Sequence, residues 1–245
     1  MLAAALLAIA SMASTSSQAT TISLYAARDN TLIESETGER SNALGTSFFV
    51  GRTSEEVDSI RRGLVAFDVA GAIAPGAIIE SVTLTLTRTG GRTSASTLAP
   101  HRLLADWGEA TSFYNGGFGA PSTPGDATWI HSFYDTAAWT NSGGDFSPVA
   151  SASSFQVSSN VFSWTSPDLT ADVQSWLDDP SGNFGWILVG DESSASTSIK
   201  FASREHGSID SRPSLSVVYS TMPEPSTALL LSLGLCGLAL VRRRS

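Results

Sequence analysis

From Thr21 to Tyr219, apolar and polar side chains alternate in short runs broken by glycine, serine and proline. In residues 81–87 the alternation is strict. Val82, Leu84 and Leu86 fall on one face of an extended chain, with Thr83, Thr85 and Thr87 on the other. Leu215, Val217 and Tyr219 repeat the pattern against Ser214, Ser216 and Val218. Residues 22–26, 48–51, 64–67, 98–104, 184–189 and 199–202 are further strands bounded by turn formers. One stretch changes to a helical period. Asp168 is placed to cap residues 169–177, with Leu169, Val173, Trp176 and Leu177 on one face and Asp172 near the positive end of the dipole. Pro180 and Gly182 end it. Strands without intervening helices predict an all-β antiparallel sandwich, with the helix as a plug over one end.

Hydrophobic residues make up 42% of the 245, enough for one domain with its own core. The single cysteine, Cys236, lies in the apolar C-terminal stretch, so the body of the chain has neither disulfides nor cysteine-bound metal. Its stability rests on the core, or on the core and an oxygen-ligated ion. Fourteen basic side chains face 23 acidic ones, a formal charge of −9, and three of the fourteen are Arg242, Arg243 and Arg244 at the far end. The rest of the chain is therefore more acidic still. Such a surface repels phosphate backbones and excludes nucleic acid as a partner. It suits a neutral or cation-bridged partner, or serves solubility alone.

Both ends read as addresses. Residues 1–19 are an expected signal peptide: an apolar stretch over residues 2–13, then small polar residues and a small-x-small site at Ser17-Gln18-Ala19 for signal peptidase. No lysine or arginine precedes the apolar stretch. At the other end, Pro223-Glu224-Pro225 leads into an uncharged run and then Arg242-Arg243-Arg244. The 15 residues 227–241 span about 22 Å as a helix, short of the roughly 30 Å of a bilayer core. A hydrophobic helix of that length suits transient insertion in the inner membrane, with the arginines cytoplasmic and the preceding domain outside. Residues 221–245 resemble the PEP-CTERM sorting tail of Gram-negative, exopolysaccharide-producing bacteria. The resemblance implies processing by an exosortase and release to the cell surface or extracellular matrix.

Residues 20–220 form the domain between. Asn42-Ala43-Leu44-Gly45, Phe49-Val50-Gly51-Arg52 and Arg61 to Asp68 are followed by Pro75-Gly76-Ala77 and the strand over residues 79–86. Then come Trp107-Gly108-Glu109, the helix, Asn183-Phe184-Gly185, Phe201-Ala202-Ser203-Arg204-Glu205 and Arg212-Pro213-Ser214-Leu215. In this order they resemble the DNRLRE, or disaggregatase-related, domain over nearly all of residues 22–219. The resemblance implies a jelly-roll β-sandwich of the carbohydrate-binding-module type, a fold that occurs in large surface proteins and beside polysaccharide lyases.

Catalytic motifs are missing from the sequence: there is no Gly-x-Ser-x-Gly, no His-Glu-x-x-His, no P-loop and no dinucleotide fingerprint. His101, His131 and His206 are spaced too irregularly for a metal site legible in sequence. Residues 106–159 hold ten aromatic rings among glycine, serine, threonine and aspartate, with no clear strand. Ring faces beside hydroxyls and carboxylates can stack on sugars, which makes Phe113, Tyr114, Phe118, Tyr134 and Trp139 candidate glycan contacts. The alternative is that the rings fill the inside of a long loop, Trp107 and Trp129 foremost. Jelly-roll modules often hold a structural calcium, and Asp29, Asp68 and Glu205 are its candidate ligands, although no EF-hand spacing is present. No other cofactor is expected. The expectation is an exported, non-catalytic protein that binds polysaccharide. Polysaccharide degradation and a purely structural surface role are the alternatives.

Overall fold

The computed structural model describes residues 18–92, 96–156 and 159–221. Residues 1–17 of the expected signal and the sorting tail from residue 222 lie outside the described residues, with Pro223, Glu224, Pro225, Arg242, Arg243 and Arg244. Among the described residues no helix is long and apolar enough to cross a membrane. The strands are β1 (Ala19–Tyr25), β2 (Arg28–Ile33), β3 (Arg40–Ser41), β4 (Ser47–Arg52), β5 (Ile60–Ala66), β6 (Ile78–Gly91), β7 (Ser96–Leu103) and β8 (Ala120–Pro121). They continue with β9 (His131–Phe133), β10 (Ala137–Ala138), β11 (Phe146–Ala150), β12 (Ser154–Gln156) and β13 (Val161–Trp164). The helix α1 (Pro167–Asp178) precedes β14 (Trp186–Val189), β15 (Ile199–Ala202) and β16 (Ser214–Ser220).

The described strand pairs are antiparallel, and the strands form a sandwich. One layer runs β1-β16-β6, with β13 on the other side of β6. The second runs β2-β5-β14-β7, with β11 and β12 both paired to β7. β15 pairs with the far end of β6 and with β4, and the end of β4 pairs with β5, so hydrogen bonding passes continuously from one layer to the other. The strict alternation in β6 has its expected outcome. Val82, Leu84 and Leu86 are buried, and Val82 and Leu84 sit opposite Val217 and Leu215 of β16 on the same inner face.

The second layer is buried on both faces. Val65, Trp186 and Leu188 point into the sandwich core, while Leu64, Ala66 and Ile187 join a second apolar cluster with Leu32, Leu103, Trp107, Ala127 and Trp139. That second cluster lies under the segment between β7 and β11. Its floor explains why residues 64–67 and 184–189 read as continuous apolar runs rather than alternating ones.

The helix closes one end of the inner core, as its amphipathic face predicts. Leu169, Val173, Trp176 and Leu177 are buried, and the Trp176 and Trp186 rings meet at 4.5 Å and 60°. Asp172 faces inward, where its Oδ2 accepts from Trp186 Nε1 at 2.8 Å and from Ser151 Oγ at 2.6 Å. The cap is not Asp168 but Ser166, whose Oγ accepts from the Leu169 N–H at 3.0 Å. The preference has a physical reason: Pro167 lacks an N–H and holds the dihedral of a first helical position, so the helix starts one residue before Asp168. Ser166→Ala should therefore destabilise the domain by about 1 kcal/mol, and Asp168→Ala by only about 0.3 kcal/mol, measured by urea unfolding. Equal effects would contradict the cap.

Candidate functional site

Residues 104–145 hold only short pieces of regular structure, the ribbons β9-β10 and β3-β8 being two to three residues long. Their backbone groups pair with one another in turns and are satisfied further by side chains. The buried Asn30 of β2 donates to the Gly108 and Ala127 carbonyls and accepts from Ser41 Oγ and the Asn42 N–H. Asn42 Oδ1 accepts from the Tyr114 N–H, and Ser112 Oγ accepts from the Ala43 N–H. The buried Asp126 takes the Ala110 and Thr123 N–H groups. Burial raises the Asp145 carboxyl, but the hydrogen bonds from Thr140 and Asn141 together outweigh it and hold the group below the usual range.

One consequence is a groove along the loops that follow β2 and β4. A cleft of about 500 Å³ is lined by Glu34, Glu36, Arg52, Glu56, Asp58 and Trp129, among others. It shares Glu34, Ser35, Val57 and Asp58 with a neighbouring cleft of about 300 Å³ that adds Arg40, Glu55, Arg61 and Phe118. Glu34 is no free acid here: its Oε2 accepts the Ser59 and Ile60 N–H groups at 2.7 and 2.9 Å. Arg62, salt-bridged to Glu192, lies over the Trp129 ring at 4.9 Å, which leaves the other side of that ring for the cleft.

Phe118 is the exposed ring in the groove, 54% accessible, on a rigid seat. Arg61 is buried beneath it and donates Nε to the Gly117 carbonyl at 2.5 Å and Nη1 to the carbonyls of Asp58 and Ile60. Burial lowers the Arg61 pKa to about 10, although Glu34, Asp58 and Glu55 work the other way. Arg40 Nη1 donates to the Phe118 carbonyl at 3.3 Å, and β8 follows in register with β3. Gly119 between them has φ +66°, and a Cβ there would clash with Ile33 and the Ser41 carbonyl.

A second constellation lies where β2, the start of the 104–145 segment and the loop after β15 converge. Asp29, Glu109 and Glu205 each bring a carboxylate oxygen, and these oxygens lie within 4.8 Å of one another. The Asp29 N–H donates to Glu109 Oε1 at 2.9 Å, and Asp29 Oδ2 accepts from the Arg204 N–H at 2.6 Å. Arg204 Nη2 reaches Glu109 Oε2 at 2.8 Å and Glu205 Oε1 at 2.7 Å. Asp29 Oδ1 and Glu205 Oε2 are buried and have no hydrogen-bonding partner. Burial pushes the Asp29 carboxyl well above its usual range, with help from the Glu205 and Glu109 charges and against the Arg204 N–H. Burial likewise raises Glu109, against the Asp29 N–H and Arg204. Burial works against the Arg204 charge, but Glu109 and Glu205 outweigh it and hold the guanidinium above its usual range. Three carboxylates, two of them with an orphaned oxygen, are ligands of the type a hard cation takes, with the Arg204 charge opposing it.

The candidate residues separate accordingly. Asp29 and Glu205 meet, but Asp68 does not join them: it is exposed, and its carboxylate accepts from the Gly71 N–H in its own turn. The third carboxylate is Glu109, whose signal in the sequence was its place in Trp107-Gly108-Glu109. Of the rings, Phe118 lines the groove, and Tyr134 lines a separate cleft of about 250 Å³ with Glu39, Arg40, Pro121 and Ser122. Phe113 and Tyr114 are exposed on the loop before Phe118 but do not line the two clefts beside it. Trp139 is corrected: it is 6% exposed in the second core cluster, and its Nε1 donates to the Thr128 carbonyl at 2.9 Å, so it offers no free face. Trp107 is core, as expected, while Trp129 is only partly buried.

No protein-family model matches the chain, and no curated protein matches it either. The placement of the rings has a direct test. Trp139→Ala should destabilise the domain by about 3–5 kcal/mol, whereas Phe118→Ala should change unfolding by about 0.5 kcal/mol or less. A Trp139→Ala protein as stable as the wild type would return that ring to the surface.

Proposed function

We propose that the chain is an exported, non-catalytic surface or matrix protein that binds polysaccharide in the groove beside Phe118. The observation that supports this reading is the ring itself: an exposed aromatic face on an immobilised seat, beside a preformed cleft. Sugars stack on such a face through their C–H groups, and the affinity gained is greatest where the platform loses no freedom on binding. The groove is rich in carboxylates, with Glu36, Glu55, Glu56 and Asp58 along its walls. A neutral polymer suits it better than a uronate-rich one, because like charges repel.

The remaining parts of the reading come from the sequence. The signal segment and the PEP-CTERM-like tail support export, signal peptidase and exosortase as processing partners, and transient insertion in the inner membrane. The DNRLRE-like order of motifs supports a jelly roll of carbohydrate-binding-module type for the antiparallel sandwich, and so a role at the producer's own exopolysaccharide or biofilm.

Affinity electrophoresis of the protein through gels containing neutral and acidic bacterial polysaccharides tests the reading. At least one neutral polymer should retard it, and Phe118→Ala should weaken that retardation about tenfold. A folded protein retarded by no polymer would point to a purely structural surface role. New reducing ends or unsaturated sugars on incubation would point to an enzyme.

A further inference from the structure

We infer that the groove beside Phe118 takes a glycan carrying free amino groups, with the aromatic rings under the sugar faces and the carboxylates around the ammonium groups. This rests on the polysaccharide reading and names the class of sugar. The two clefts of the groove repeat one arrangement. The larger, about 500 Å³, sets the partly buried Trp129 ring beside Glu36, Glu56 and Asp58. The smaller, about 300 Å³, sets the exposed Phe118 ring beside Glu55 and Asp58. Successive residues after β4 thus serve different clefts, Glu55 one and Glu56 the other, while Asp58 lines both. A ring with carboxylates, given twice in adjoining clefts, suits the repeat of a polymer better than a single small molecule.

The polar groups of the groove divide unevenly. Its arginines are engaged by the protein. Arg61 donates to the carbonyls of Gly117, Asp58 and Ile60, and Arg40 to that of Phe118. Arg52 donates to Ser59 Oγ and the Glu192 carbonyl. Glu36, Glu55, Glu56 and Asp58, by contrast, are exposed, and among the described residues none of their carboxylates forms an ion pair. With Glu34, five carboxylates stand against three arginines along the two clefts. The groove therefore offers rings, acceptors and a surplus of negative charge. An ammonium group has three donors and no acceptor, so it meets both the carboxylates and the ring faces. A sugar with hydroxyls alone uses the rings but not the charge, and a uronate is repelled.

Calorimetric titration of the wild-type protein with two hexasaccharides, β-1,4-linked N-acetylglucosamine and its fully deacetylated form, tests the inference. The deacetylated hexamer should bind at least about tenfold more tightly at low salt, and the advantage should shrink as salt rises. The double variant Glu55→Gln with Glu56→Gln should lose most of that advantage but keep the binding of the acetylated hexamer. Glu80→Gln, an exposed carboxylate of β6 outside the groove, should change neither. Phe118→Ala should weaken both hexamers. Equal affinity for the two hexamers, or binding of neither while a neutral polymer still retards the protein, would overturn the amine and leave the polysaccharide reading standing. Failure of both hexamers and of all polymers would remove that reading itself. Oligolysine bound as tightly as the deacetylated hexamer, with no effect of Phe118→Ala, would overturn the glycan in favour of a basic peptide or general charge attraction.

Discussion

The molecule depends on one layer, β2-β5-β14-β7, being buried on both sides. A sheet in an ordinary two-layer sandwich shows its outer face to water, but here Leu32, Leu64, Ala66 and Ile187 point outward and are apolar. Each large side chain among them gains about 1.5–3 kcal/mol from being covered. The cover is the 104–145 segment, which brings Trp107, Ala127 and Trp139 down onto that face. A cover with so little regular structure pairs its backbone in turns and needs side chains, its own and those of neighbouring elements, for the rest. Asn30, Asn42, Asp126 and Asp145 supply what a ladder would otherwise supply. Both candidate sites are by-products of this arrangement: the groove lies along one margin of the cover, and the carboxylate cluster at its start.

How legible each element was in the sequence follows from how it is buried. β6 and β16 face water on one side and core on the other, so they alternate and were plain. The continuous runs in β5 and β14 were read as strands, but a run of apolar residues does not say what lies on each face. β2 was missed because Asp29, Asn30 and Thr31 look like a turn, whereas they are fully buried and serve the polar network. Neither burial nor those hydrogen bonds have a local signature, since many of their partners lie roughly 80 residues or more away in the chain. The helix was placed almost to its ends, and only its cap was misassigned, to the acidic residue rather than to the serine before the proline.

The sites follow the same logic. Asp29, Asp68 and Glu205 were equal candidates in the sequence. The role of Asp68 is local, closing its own turn onto Gly71. Glu109 was visible only as part of a short motif, since its partners come from β2 and from beyond β15. Among the rings, composition could not separate Trp139 from Phe118, because burial is decided by which side of the cover a residue falls on. The contributor that sequence reasoning passed over was Arg61: a run of two arginines reads as a solvated pair, yet one is buried under the groove and the other pairs with Glu192.

The two sites are mechanically separate although one segment carries both. Glu109 ties the beginning of the cover to β2, while Phe118 is seated by Arg61, by Arg40 and by the β3-β8 pairing. None of the contacts that seat the ring passes through the carboxylates. The carboxylate cluster therefore bears on the closing of the cover without setting the geometry of the aromatic platform. Its effect belongs to stability: Arg204 offsets part of the cost of burying like charges, and the hydrogen bonds link segments that only tertiary structure brings together.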